Sequence, residues 1–67
     1  MVSSGWRNTW HQDFARVLYS MSHIERSALQ GLGLLSIDGR RAFVSAAERL
    51  DMDLVHAAYV MEQATLE

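Results

Sequence analysis

GRRAFVSAAERLDMDLVHAAYVMEQA, residues 39–64 of the 67-residue chain, has no proline and no glycine after its first position. Its apolar residues recur at alternating gaps of four and three positions. They are Phe43, Ala47, Leu50, Leu54, Ala57, Met61 and Ala64. This period is typical of an α-helix that turns one apolar seam toward a partner surface. We therefore predict one unbroken helix from about Gly39 to Ala64.

Residues 51–53, Asp-Met-Asp, leave a second interpretation of this stretch open. Aspartate is a favourable N-cap, so a turn here could start a fresh helix at Leu54. AAERLDMDLVHAAYVMEQ would then be a helix-turn-helix, and AAERL resembles the first helix of LysR-type DNA-binding domains. Its second helix would contain no lysine or arginine, and Asp53 and Glu62 would repel DNA phosphates. The unslipped apolar stripe favours the continuous helix.

Two shorter helices are predicted before the long one. Thr9 and Gln12 have the spacing of a capping box, which places the start of the first helix at Trp10. A one-face apolar stripe carries this helix to about Met21. The stripe consists of Trp10, Phe14, Val17, Leu18 and Met21.

A second capping box, formed by Ser22 and Glu25, starts the next helix directly after the first. This helix should be about eight or nine residues long, because Gly31 and Gly33 weaken its end. Its expected buried face consists of Ile24, Ala28, Leu29 and Leu32.

The connector after the second helix is apolar at Leu34 and Leu35, which we expect to pack on the core. Ser36 or Asp38 should then cap the long helix. The predicted fold class is all-α, with two short helices and one long C-terminal helix in a single domain of residues 1–67.

Length and composition restrict the classes of protein to consider. A chain of 67 residues holds one domain at most and lies near the lower limit for a self-sufficient core. The absence of cysteine excludes disulfides and thiolate metal sites, and it favours a cytoplasmic location. No apolar run approaches the roughly 20 residues of a membrane span, and no signal-peptide pattern is present. Residues 1–8 are expected to be frayed, and residues 66–67 have the form of a cloning remnant.

Charge and histidine placement argue against a nucleic-acid clamp and against catalysis. The net charge is −2, and all six basic residues are arginine. His11, His23 and His56 lie on three separate segments without a metal-ligand spacing. No glycine-rich phosphate loop occurs either. We predict no catalytic, cofactor-binding or metal-binding residue, and no enzymatic activity.

The segment LVHAAYVM, residues 54–61, is apolar nearly all the way round. One side continues the core stripe, while Val55 and Tyr59 form a second apolar side. A helix that is apolar on two sides needs two partners, and a small domain covers only one. Acidic residues bordering such a strip suit a basic partner, although the plain alternative for them is a solvated face. The predicted protein-binding residues are Glu25, Glu48, Asp51, Val55 and Tyr59.

Short pieces of the chain between Arg16 and Tyr59 share their residues and spacing with a known family. They are Arg16, Glu25-Arg26, Leu35-Ser36, Phe43, Ser45-Ala46-Ala47, Glu48 and Asp53-Leu54. In these pieces the chain resembles the Hha/YmoA family of small bacterial expression modulators, and the predicted order of short, short and long helices agrees with that family.

The resemblance implies a non-enzymatic modulator of gene expression that docks on the dimerisation region of H-NS-type nucleoid proteins through complementary charge. Glu25 and Glu48 stand where the family places acids used in that contact. The chain differs from the family around the first helix, where Arg7 and Arg16 are the basic residues, and it lacks the C-terminal tryptophan segment.

The leading hypothesis is therefore a cytoplasmic adaptor that joins the nucleoid through an H-NS-like partner. One alternative is a small helical homodimer that inhibits or adapts another protein, as phage and plasmid proteins do. Another is a minimal helix-turn-helix DNA-binding protein. We expect no cofactor, no membrane contact, and only weak, unspecific DNA binding by the isolated chain.

Overall fold

The computed structural model describes residues 9–66 and shows four α-helices there, with no strand. These are α1 (Trp10–Ser20), α2 (His23–Leu32), α3 (Ile37–Arg49) and α4 (Leu54–Leu66). α1 packs against α3 and α4, α2 packs against α3, and α3 packs against α4. The all-α prediction is confirmed for this part of the chain. The prediction of frayed residues 1–8 lies outside the described residues, and of the predicted terminal remnant, residues 66–67, only Leu66 is described, as the last residue of α4.

The prediction of one long C-terminal helix is wrong, because the chain turns between α3 and α4. Leu50 is the C-cap of α3, and Asp51 has a φ of 59°, in the left-handed region. The Asp51 N–H donates to the carbonyl of Glu48 at 3.0 Å, and the Met52 N–H donates to the carbonyl of Ala47 at 3.1 Å. These two bonds form a Schellman motif, which satisfies the last carbonyls of α3 and ends the helix.

α4 begins directly after this turn because Asp53 caps it. A carboxylate oxygen of Asp53 accepts a hydrogen bond from the Val55 N–H at 3.1 Å. The Asp53 carbonyl accepts the first bond of the new helix, from the Ala57 N–H at 2.9 Å. The first of these contacts satisfies a backbone donor that a helix start leaves without a partner, and the second is the first regular bond of α4. The alternative of a turn at residues 51–53 and a fresh helix at Leu54 is therefore confirmed.

The turn also changes which residues of α4 face the core. Leu54, which a continuous stripe would bury, has an exposed fraction of 56%. Ala46 and Val60, which lie outside that stripe, are fully buried. Ala57 and Met61 of the predicted stripe are nevertheless buried, so the turn moves the stripe out of phase only at Leu54.

The core lies where α1, α3 and α4 meet. Its buried members are Trp10, Val17, Met21, Phe43, Ala46, Ala47, Ala57, Val60 and Met61. The rings of Phe14 and Phe43 stack with their centroids 5.5 Å apart, which joins α1 to α3. The short alanine side chains on α3 and α4 allow the helix backbones to approach closely.

The capping boxes predicted for α1 and α2 have different outcomes. Ser22 and Glu25 form theirs, since Ser22 Oγ accepts from the Glu25 N–H at 3.2 Å and Glu25 Oε1 accepts from the Ser22 N–H at 2.9 Å. Thr9 is the N-cap of α1, but its side chain makes no capping bond, so that box is wrong. Its backbone is helical, with φ −95° and ψ −1°, whereas a capping side chain needs an extended N-cap.

The buried face predicted for α2 is only partly right, because no residue of this helix is fully buried. Ala28 and Leu29 are half-buried, as expected for residues that face α3. Ile24 and Leu32 are exposed. α2 packs against α3 on one side, and this contact covers a narrower strip than the sequence suggests.

The connector to α3 is tight. Leu34 packs on the core as predicted, whereas Leu35 is exposed. Ser36 caps α3, since its Oγ accepts a hydrogen bond from the Gly39 N–H at 2.9 Å. A side chain on Gly39 would collide with the carbonyl of Gly33, so glycine alone permits this close approach.

Candidate protein-binding site

α4 carries a stripe of residues on the side away from the core, at the gaps of three and four that share one side of a helix. Together with one residue of α3, this stripe lines an open groove of about 620 Å³, which we call the α4 groove. Its lining residues are Arg40, Val55, Ala58, Tyr59, Glu62, Thr65 and Leu66.

The groove lining combines polar and apolar surface in about equal parts, and large apolar side chains are exposed at both ends. Val55 has an exposed fraction of 78%, and Leu66 has one of 74%. Tyr59 lies between them and is half-buried. On the opposite side of the same helix, Ala57 and Val60 are fully buried. α4 is therefore apolar on two sides, as predicted, and residues 9–66 cover only one of them.

One charged residue from α3 and one from α4 border the α4 groove. Arg40 comes from the start of α3 and Glu62 from the middle of α4, and both side chains are exposed. Within residues 9–66, neither side chain has a hydrogen-bond or ion-pair partner. Both charges are thus available to a molecule that enters the groove.

Glu25 forms an intramolecular ion pair with Arg49 through two hydrogen bonds. Arg49 Nη1 donates to Glu25 Oε2 at 3.0 Å, and Arg49 Nη2 donates to Glu25 Oε1. These bonds, followed in importance by the bond from the Ser22 N–H, lower the pKa of Glu25 from 4.5 to about 2, and partial desolvation opposes them. Glu25 therefore has a structural role, because it ties the start of α2 to the end of α3.

Two arginines from other helices satisfy the C-terminal end of α1. Arg49 Nη2 also donates to the carbonyl of Ser20 at 3.0 Å, and Arg26 Nη2 donates to the carbonyl of Leu18 at 2.6 Å. α1 has no basic residue in its own last turn. A cation near these carbonyls satisfies unpaired acceptors and complements the negative end of the helix dipole.

A second polar contact joins α1 to α4. His56 Nε2 lies 2.7 Å from Asp13 Oδ2, and Arg16 Nη1 donates to the other oxygen of Asp13 at 3.4 Å. Sequence reasoning missed this contact, since 43 positions separate the two residues and no local pattern links them. It fixes the first turn of α4 against α1.

The other two predicted acids lie near the start of α4. Glu48 is exposed in the last turn of α3, and its side chain has no partner within residues 9–66. Asp51 is the exposed left-handed residue of the turn. With Asp53, the cap of α4, these residues place three carboxylates around the turn, where Asp51 and Asp53 line a depression separate from the α4 groove.

The five predicted binding residues therefore fall in three places. The structure brings Val55 and Tyr59 together in the α4 groove, and it puts Glu48 and Asp51 at the turn before it. Glu25 lies apart from both, in its ion pair. Sequence reasoning missed Arg40, Glu62 and Leu66 of the groove; the helical spacing from Val55 could have found the last two.

The described residues contain no grouping of histidine and acidic side chains that could hold a metal ion. Another open depression, of about 640 Å³, lies between α1, the end of α2 and the end of α4. Its lining is mostly apolar, and its histidine, His11, stacks on Trp10 with ring centroids 3.9 Å apart. The lining of this depression offers no set of side chains for acid–base chemistry.

Among residues 9–66, no helix has both the length and the hydropathy that crossing a bilayer requires. The chain matches no known family model, no curated protein and no solved structure. The resemblance to the Hha/YmoA family stays a prediction, carried by the residues quoted above.

Proposed function

We propose that this chain is a non-enzymatic protein-binding modulator of gene expression, which docks a helix of its partner in the α4 groove. The observation that carries the proposal is the exposed apolar stripe of α4. Val55 is a large apolar residue that the fold leaves outside, and Tyr59 lies four positions later on the same side of α4, a spacing suited to contact with an amphipathic helix. An apolar strip of this kind on a small domain is typical of a protein-binding surface.

The proposed partner presents a basic amphipathic helix. Glu48, Asp51 and Asp53 surround the turn that precedes α4, and they would attract arginine or lysine of a partner that extends past the groove. The resemblance to Hha/YmoA proteins points to the dimerisation region of an H-NS-like protein as this partner. The chain would then reach the nucleoid through the partner and not through DNA contacts of its own.

Binding to a labelled H-NS dimerisation segment tests this proposal. We expect Val55→Asp to abolish binding, because it buries an unpaired charge in the apolar contact. Glu48→Lys should slow association and reduce its salt dependence if Glu48 stays at the rim, or lower the affinity by about 2–5 kcal/mol if binding buries it.

Ser27→Lys is the matched control, because it adds a positive charge at an exposed position of α2, away from the groove. Circular dichroism should show the same helix content for every variant. Equal affinity and equal salt slope for wild type and Val55→Asp would exclude the groove as the binding surface. Absence of wild-type binding at about 1 mM segment would exclude the H-NS-like partner.

DNA binding is the second candidate function, and the turn at Asp51 is the observation in its favour. α3, the turn and α4 follow each other as the two helices of a helix-turn-helix do, and AAERL resembles the first helix of LysR-type domains. The charges oppose this function, since α4 has no lysine or arginine and acids surround its start. We expect weak, unspecific binding; sub-micromolar, sequence-selective binding at physiological salt would establish the second candidate.

A further inference from the structure

We infer that a second copy of this chain binds in the α4 groove, through a two-fold contact between the two α4 helices. This inference deepens the proposed function, on which it rests for the use of the groove as a binding surface. Self-association then regulates docking, because the dimer covers Val55 and Tyr59 and a partner helix must displace it.

The groove has the self-complementarity that a two-fold contact needs. In such a contact the same patch is used on both copies, so each charge must meet its opposite after the rotation. The groove offers one charge of each sign among its lining residues, Arg40 from α3 and Glu62 from the exposed stripe of α4. A two-fold axis across the groove brings Arg40 of each copy to Glu62 of the other, and two ion pairs result.

Neither of these charges is used within the described residues, in contrast to three other arginines. Arg16 pairs with Asp13, Arg26 binds the end of α1, and Arg49 binds Glu25. Arg40 and Glu62 lack such partners although they border the same groove. A contact between copies satisfies both charges and covers the exposed side chains of Val55 and Leu66 at once.

The size of α4 sets the expected strength of the contact. A helix of 13 residues is about 20 Å long, so two such helices form an interface at the small end of the range for specific complexes. Self-association should therefore be reversible and in the micromolar range or weaker. A reversible dimer of this strength lets a partner helix compete for the groove.

Sedimentation equilibrium of the full chain, from about 1 µM to about 1 mM, tests the inference. Wild type should shift from monomer to dimer over this range. R40E and E62R should each weaken self-association by about tenfold or more, because each variant alone places like charges opposite each other. An equimolar mixture of the two variants should recover the dimer, since one copy then carries two acids and the other carries two arginines.

R41E is the matched control, because Arg41 is the neighbouring exposed arginine on α3 but does not line the groove. It should dimerise as wild type does, and circular dichroism should confirm that all variants are folded. A wild type that stays monomeric at about 1 mM would overturn the inference. So would a mixture of R40E and E62R that associates no better than either variant alone.

The two proposals fail separately. Sedimentation uses only this chain, so absence of binding to an H-NS segment leaves the dimer result unchanged. Conversely, if wild type stays monomeric but still binds the segment through Val55, only the inference of self-association is refuted. Where both hold, adding the segment to wild type should convert dimer into a complex of one chain with one segment.

Discussion

Both sides of α4 carry large apolar residues, but these residues have opposite environments. Val60 and Met61 face α1 and α3 and are buried, whereas Val55 and Leu66 face outward and are exposed. The difference shows that apolar content does not decide which side of a helix the fold uses. The neighbours decide it, because only one side has helices available to cover it, and the other side remains for a partner.

The contacts at the start of α4 determine which side faces inward. The left-handed Asp51 and the cap at Asp53 fix the direction in which the chain leaves α3. The contact between His56 and Asp13 then holds the first turn of α4 against α1. A small rotation of α4 at this point would exchange exposed and buried residues, so the turn is the main determinant of the exposed surface.

The largest contrast is expected between alanine substitutions on the two sides. Met61→Ala removes a side chain with an exposed fraction of 6% and should lower the free energy of unfolding by about 2–5 kcal/mol. Leu66→Ala removes an exposed side chain and should change it by no more than about 0.5 kcal/mol. Urea denaturation followed by circular dichroism measures both, and equal losses would contradict the assignment of the two sides.

Substitutions at Asp51 test the turn, because a turn and a continuous helix predict changes of opposite sign in the free energy of unfolding. Glycine adopts a positive φ without steric cost, so Asp51→Gly should raise the free energy of unfolding by up to about 1 kcal/mol. A β-branched residue does not, so Asp51→Val should lower it by about 1–2 kcal/mol. In a continuous helix glycine would instead be destabilising by about 1 kcal/mol.

Asp51→Asn is the control for the charge, because asparagine also tolerates the left-handed conformation. If Asp51→Gly destabilises the protein more than Asp51→Asn does, the turn is absent in solution. In that case Leu54 would return to the core stripe, and the two sides of α4 would have to be assigned again.

The acids also differ in whether they have a partner within the fold, and the pH dependence of the free energy of unfolding should show this difference. The bonds from Arg49, and after them the bond from the Ser22 N–H, hold the pKa of Glu25 near 2 in the folded chain, against its ordinary value of 4.5. A lowered folded-state pKa means that the contribution to stability is present above about pH 4.5 and is lost as the pH falls toward 2. Glu25→Gln should therefore flatten the fall in stability over this pH window.

Glu48→Gln is the matched control, since it removes a carboxylate that has no side-chain partner within residues 9–66. Urea denaturation at several pH values between about 5 and 2 compares the three proteins. If Glu25→Gln and wild type lose stability in parallel, the ion pair with Arg49 contributes nothing in solution.

The features that sequence reasoning found are those that a few neighbouring residues decide. The Ser22 capping box and the Ser36 cap each depend on side chains three positions from their partners. The left-handed Asp51 was missed because aspartate, unlike glycine, does not by itself indicate that conformation. The apolar stripe continued across the turn by coincidence of spacing and supported the wrong helix.

Contacts between distant parts of the chain account for the rest. Glu25 was predicted to contact a partner protein, and its bond to Arg49, 24 positions away in the sequence, was not predicted. Each residue alone is an ordinary exposed charge, and only the packing of α2 on α3 brings them together. Val55 and Tyr59 were found because helical spacing alone separates them from the core stripe.

The smallest expected effect on stability is that of Val55→Ser, and it completes the comparison of the two sides. Since 78% of Val55 is exposed, the substitution should change the free energy of unfolding by no more than about 0.5 kcal/mol. Measurement at low micromolar concentration is necessary, because self-association would otherwise add to the stability of wild type. The same substitution should weaken binding of a helix in the α4 groove by about tenfold or more, because the contact buries the valine side chain.

A stability loss above about 1 kcal/mol would mean that the folded chain already covers this side of α4. The apolar stripe would then belong to the core, and neither a partner helix nor a second copy would have a surface to bind.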